Sequence, residues 1–169
     1  MSGDNRISTT SEATSLFVTP KLYDEIVECD KHLIAIESPR VDDIIAQFRQ
    51  FAMRSGNSVY HWSEGTGIVS MRESDLTVPG SQRIHDAVRH IQNSLHVGVY
   101  LFTGFSKLLR PPVTGVLRQL AKQQGQARKL VFIDSKVRMP EGLDIFVHRI
   151  VHDIETKRPP RLRDGRWVT

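Results

Sequence analysis

Asp144, His148 and His152 repeat at i, i+4 and i+8, the spacing that puts two imidazoles and a carboxylate on one helical face. Such a set can hold zinc. The helix that would carry them also places Leu143, Phe146, Val147, Ile150, Val151 and Ile154 on its other side, so the polar three read as a solvated, ion-paired face and no metal is expected. His85 and His90 stand five residues apart on a helical stretch and diverge too far to chelate together. His61 beside Trp62 reads as packing within a strand. Ser38 and Ser63 lack the glycine-flanked elbow of a serine nucleophile, and Cys29, the single cysteine, has no base placed beside it. No catalytic residue emerges.

Phosphate binding is the remaining chemistry. "HLIAIESPRVDDIIAQF", residues 32–48, reads as a buried strand, a short turn and an amphipathic helix, the unit that nucleotide-binding folds use. A phosphate loop needs glycines, so that backbone amides wrap the anion, and a lysine for the terminal phosphates. The turn Glu37-Ser38-Pro39-Arg40 has neither; it opens with an acid, loses an amide at Pro39, and is followed by Asp42 and Asp43. The later strand "VYLFTGF" ends without a carboxylate, where a phosphate-hydrolysing site would hold magnesium. A phosphoreceiver reading fails at the same place, because Thr103 stands where the acceptor aspartate is needed. What is left for a nucleotide or another phosphorylated small molecule is Ser38, Arg40, Ser63 and the amides of Gly65 and Gly67 in "SEGTG". Those glycines read first as a tight turn that ends a strand. No cofactor is expected.

The elements that would position these residues alternate. Thr19 and Pro20 open a helix, and "HLIAIE" is an uninterrupted apolar run typical of a strand covered on both faces. Val41, Ile44, Ile45, Phe48, Phe51 and Ala52 follow the helical period, and Ser55-Gly56-Asn57 stops it. "SVYHW" and "IVSMRE" are strands around "SEGTG". Ile84, Ala87, Val88, Ile91 and Leu95 mark another helix, and "VGVYLFTGF" another strand. A proline-opened helix runs to Gly125, "KLVFID" is a strand, and residues 140–155 close the chain as a helix. This predicts an α/β three-layer sandwich: a mostly parallel sheet of four to five strands with helices on both faces.

The chain has 169 residues with 39% hydrophobic and 25% charged, the make-up of one globular domain. Residues 1–18 read as an unstructured leader, residues 19–155 as the domain and residues 156–169 as a basic tail. The net charge of +4 belongs to that tail, which holds Lys157, Arg158, Arg161, Arg163 and Arg166 against Asp164 alone. That tail reads first as a solvated end that keeps the domain soluble; if it meets a partner, Arg158, Arg161, Arg163, Arg166 and Trp167 are the residues it offers. A basic end with one aromatic is a weak nucleic-acid signal, and nucleic acid is the lesser alternative. No apolar run suits a bilayer and no secretory signal is evident, so a cytoplasmic location without membrane insertion is expected.

The composite "CDKHLIAIESPRVDDIIAQFRQFA", "VYHWSEGTGI" and "VGVYLFTGFSKLLRPPVTGVLRQLAKQQGQARKLVFIDSKVRMPEGLD" resembles a known family. It is similar to the N-terminal degenerate RecA-like domain found ahead of the ATPase domain in certain AAA+ proteins of bacteria and plastids. Trp62-Ser63-Glu64-Gly65, Pro111-Pro112 and Val131-Phe132-Ile133, followed by Pro140 and Leu143, carry the likeness across residues 21–155. The resemblance implies a P-loop-like fold without catalytic motifs. It also implies an adaptor role toward a protein partner, such as a separate AAA+ ATPase or a larger assembly. Because the sequence ends at Thr169, the motor domain is expected to be absent from this chain.

Overall fold

A computed structural model describes residues 20–125 and 128–152. The leader, the basic tail and its candidate residues Arg158, Arg161, Arg163, Arg166 and Trp167 lie outside the described residues. Helix α1 covers residues 20–28. It is followed by β1 (Leu33–Glu37), α2 (Val41–Ser55), β2 (Val59–Ser63), β3 (Gly67–Ser70), α3 (Ile84–Asn93), β4 (Gly98–Phe102), α4 (Val113–Ala121), β5 (Arg128–Asp134) and β6 (Val147–Val151). A single 3-10 turn, Asp144–Phe146, leads into β6.

The six strands form one sheet in the order β3-β2-β4-β5-β1-β6. Only β3 runs antiparallel, in a hairpin with β2; the other pairings are parallel. Central strands must be apolar on both faces, and β1 supplies that by alternation. Leu33 and Ala35 face the core under α3 and α4, while Ile34 and Ile36 face the core under α1 and α2. Helix α2 buries Ile44, Ile45, Phe48 and Ala52 and ends at Gly56, whose left-handed φ of 72° lets its amide return to the Ala52 carbonyl at 3.0 Å. On the opposite face Trp62, Phe102, Phe132 and Phe105 make a run of ring contacts 5.0 to 5.5 Å apart. Each such pair contributes about 1 kcal/mol beyond its buried area.

The layers and the mostly parallel sheet agree with the sequence expectation; three details differ. Among the described residues the sheet has six strands, not four to five. The stretch expected as a closing helix is a 3-10 turn followed by β6, which pairs with β1 from Leu33↔Val147 to Glu37↔Val151. Tertiary pairing overrides a helical-looking spacing there, favoured by the β-branched Val147, Ile150 and Val151. Helix α3 ends at Asn93, so Leu95 lies beyond it, 95% exposed. The Asp144, His148, His152 face therefore does not form.

Two cations anchor the layers at the amino edge of the sheet. Arg128 donates through Nη1 to the carbonyls of Ile91, Gln92 and Ser94, closing the end of α3, and through Nη2 to Gln123 Oε1 at 2.7 Å. Its neighbour Lys129 is buried and donates through Nζ to the Cys29 and Lys31 carbonyls between α1 and β1.

Candidate functional site at the carboxyl edge

In open parallel sheets, ligands sit beyond the carboxyl ends of the strands. At the end of β1 the turn is spanned by the chain's own groups. The Ser38 amide donates to the Asp134 carbonyl at 3.0 Å, and the buried Ser38 hydroxyl accepts the Arg40 amide at 3.1 Å. The Arg40 guanidinium lies 3.8 Å from the Asp43 carboxylate. Glu37 accepts the Val137 amide at 3.2 Å and lies 3.5 Å from Arg149, which itself donates to Asp144 at 2.9 Å and to the Val137 carbonyl at 2.9 Å. Next along the edge, Asp134 accepts from the Ser135 amide at 2.7 Å and from Ser106 Oγ at 3.1 Å. Two carboxylates thus stand where a phosphate would sit, and like charge repels it.

Ser63, Gly65 and Gly67 belong to the β2–β3 hairpin. From β2 to β1 the sheet passes β4 and β5, three strand spacings or roughly 14 Å. Ser38 and Arg40 therefore do not converge with them. Gly67 is there for packing. Its φ is +84°, and a Cβ on it would fall 2.6 Å from Ser81 Oγ and 3.1 Å from the Ser81 carbonyl carbon. Ser81 is buried and fully used. Its hydroxyl accepts the Ile68 amide at 2.8 Å and donates to the Val78 carbonyl at 2.6 Å, while its own carbonyl accepts Trp62 Nε1–H at 2.8 Å.

Beyond this hairpin a half-open cavity of about 350 Å³ lies between Glu64 and Gly65, the start of α3 at Arg83, Ile84 and His85, and Leu108. Its walls are mainly apolar. Of the residues weighed from sequence, Gly65 and His85 line it. Gln82 and Arg83 were not singled out because nothing in "GSQRIH" marks a pocket; the signal is tertiary, the approach of Leu108 from the connection after β4.

His61, expected as packing, makes a polar contact as well: its Nε2 lies 2.8 Å from Thr103 Oγ1 across β2 and β4. Burial, with Arg49 adding to it, holds this imidazole below its ordinary range. His148 is on β6 with Nε2 3.3 Å from Glu25 on α1, and Asp144 is taken by Arg149. Among the described residues no three His, Cys, Asp or Glu side chains gather as metal ligands, and no helix is long and apolar enough to cross a membrane.

Numbered along the chain without β3, the parallel strands lie across the sheet in the order 2-3-4-1-5. With helices on both faces and an acid–serine–proline turn after β1, this is a degenerate P-loop-like α/β domain. The family model for the N-terminal domain of SpoVK-like AAA ATPases matches residues 21–152. The chain belongs to that family. No curated protein matches it.

Proposed function

We propose that this AAA ATPase N-terminal domain is a non-catalytic interaction module, which binds a protein partner on behalf of an AAA+ ATPase and takes up no nucleotide itself. One observation carries the reading: the turn after β1 is occupied by the chain's own groups. Ser38 Oγ is engaged by the Arg40 amide, and Glu37 is held by Val137 and Arg149. A phosphate there would have to displace these bonds and face Glu37 and Asp134. The competing reading, a regulatory site for a nucleotide or phosphorylated small molecule, needs Ser38, Arg40, Ser63, Gly65 and Gly67 to act together, and they sit at two separate strand ends.

Two measurements test this. Isothermal calorimetry of the whole chain with ATP and GTP, with and without magnesium, should give no binding heat; saturable heat would replace the module by a nucleotide site. Co-elution of the chain with an AAA+ ATPase from the same cell on size exclusion should give a complex. Separate elution at micromolar concentrations of both would remove the adaptor role.

A further inference from the structure

Outside the basic tail the chain's acids and bases balance in number but not in place. Helices α1 and α2 carry five acids against three cations. On the other side of the sheet, no acid stands between Asp86 and Asp134 in the sequence, and Asp86 itself lies 3.8 Å from His85. This acid-free stretch supplies most of α3, the connection after β4 and all of α4, which share one core through Ile91, Phe105, Leu109 and Leu117. Its exposed cations are Arg89, Lys107, Arg110, Arg118 and Lys122, and none meets a carboxylate among the described residues.

Acids do approach this layer at its carboxyl end, where Glu64 lines the cavity with Arg83 and Arg118 donates to the Glu141 carbonyl at 2.9 Å. The amino end differs. There Gln92 Nε2 donates to Gln119 Oε1 at 3.2 Å and ties α3 to α4; Arg89 stands one turn before Gln92 and Lys122 one turn after Gln119. Arg128 bonds the Ser94 carbonyl and the Gln123 side chain with one guanidinium. Leu95, next to Ser94, and Lys122, next to Gln123, therefore flank the same group. Leu95 and Val97 are 95% and 70% exposed. The other acids of the amino edge, Asp30 before β1 and Glu73 and Asp75 after β3, stand two strands from β4 on either hand, roughly 10 Å. Asp30 is moreover drawn to Lys129, on the α1 side.

Resting on the interaction-module reading, we propose that the amino end of the α3–α4 face docks an acidic, apolar segment of the partner protein. Apolar side chains of the segment cover Leu95 and Val97, and its carboxylates lie against Arg89 and Lys122. Covering the apolar pair supplies affinity at about 25 cal/mol per Å² of area removed from water. The cations supply orientation, and the charge of the whole layer speeds the encounter, since opposite potentials steer association. A nucleic acid would meet the cations but leave Leu95 and Val97 uncovered, and this face exposes no aromatic ring for a base to stack on. It likewise exposes no tryptophan or tyrosine of the kind that anchors at lipid headgroups.

The test is a titration of the isotopically labelled full chain, followed by amide chemical shifts. The probes are three end-capped peptides, DELLDE, KKLLKK and DESSDE, a short oligothymidylate, and vesicles containing phosphatidylserine. DELLDE should shift the amides of Arg89, Leu95, Val97 and Lys122. KKLLKK and DESSDE should each bind at least about tenfold more weakly. So should DELLDE to each of two double variants, Arg89→Glu with Lys122→Glu and Leu95→Ser with Val97→Ser, whose exposed positions leave the fold intact. Equal binding of the three peptides, shifts confined to the basic tail or to the cavity, or an unaffected double variant would each overturn the site. Binding of oligothymidylate or of the vesicles at the same amides as tightly as DELLDE would overturn the choice of a protein segment. Co-elution with the ATPase separates the two readings: if both double variants still co-elute, this surface fails and the adaptor role stands, whereas separate elution of the unaltered chain removes the adaptor role itself.

Discussion

His61 carries one consequence that can be read at the level of a single residue. Its imidazole is half-buried on the α2 face, bonded to Thr103 and held below its ordinary value of 6.5 by burial first and by Arg49 second. The folded state therefore favours the neutral ring. Above pH 6.5 neither the folded nor the unfolded chain binds this proton. As pH falls through that value the unfolded chain protonates first, so stability declines until the folded state protonates as well. Urea midpoints measured from about pH 7 down to about pH 5 should fall in the wild type and fall less steeply in His61→Gln. A slope unchanged by the substitution would assign the pH dependence elsewhere. His61 could be picked out from sequence only as a histidine beside a buried tryptophan; its partner Thr103 is 42 residues away, and nothing local announces the pair. Ser38 and Arg40 illustrate the reverse case. Their types suggested an anion site, and the absence of glycine in their turn argued against it; in the structure both groups are engaged locally.

Elements with strong periodicity were legible, those shaped by a distant partner were not. Helix α2 was recognisable because its apolar residues, first-turn acids and stop signal agree. The buried runs of β1, β4 and β5 were recognisable because few other segments tolerate so little polarity. Strand β6 was misread because Val147 and Ile150, three apart, are buried on opposite faces of an edge strand and so mimic helical spacing. Only its pairing with β1 settles the matter. The connection between α1 and β1 depends likewise on a remote side chain. Lys129 satisfies the Cys29 and Lys31 carbonyls from about a hundred residues away, and burial pushes its ammonium below the ordinary lysine range. Lys129→Met keeps the length and removes the donor, leaving two carbonyls without it. The expected loss is about 1–3 kcal/mol in chemical denaturation, with faster amide exchange at residues 29–32 than in β4. Unchanged stability would mean that water replaces the ammonium at little cost.

Across the whole molecule, two apolar cores are separated by one sheet whose strands contribute to both. Trp62 reports the core under α3 and α4, whereas most helical signal from α1 and α2 reports the other side. Since β1 and β5 supply residues to both cores, neither can melt while the other keeps its floor. In a Trp167→Phe background, Trp62 fluorescence and far-ultraviolet circular dichroism should give coincident urea midpoints; a separation of the two curves would reveal independent layers. The coupling has a definite seat at the start of β5. Successive strand residues point to opposite faces, so Arg128 reaches the α3 side and Lys129 the α1 side. Shifting β5 by one position along its neighbours would exchange them, aiming each cation at the wrong layer and stripping carbonyls on both. Two adjacent letters in the chain thus act as a key that admits a single alignment of this central strand, and the carboxyl edge, at the far end of its seven residues, inherits its geometry from that choice.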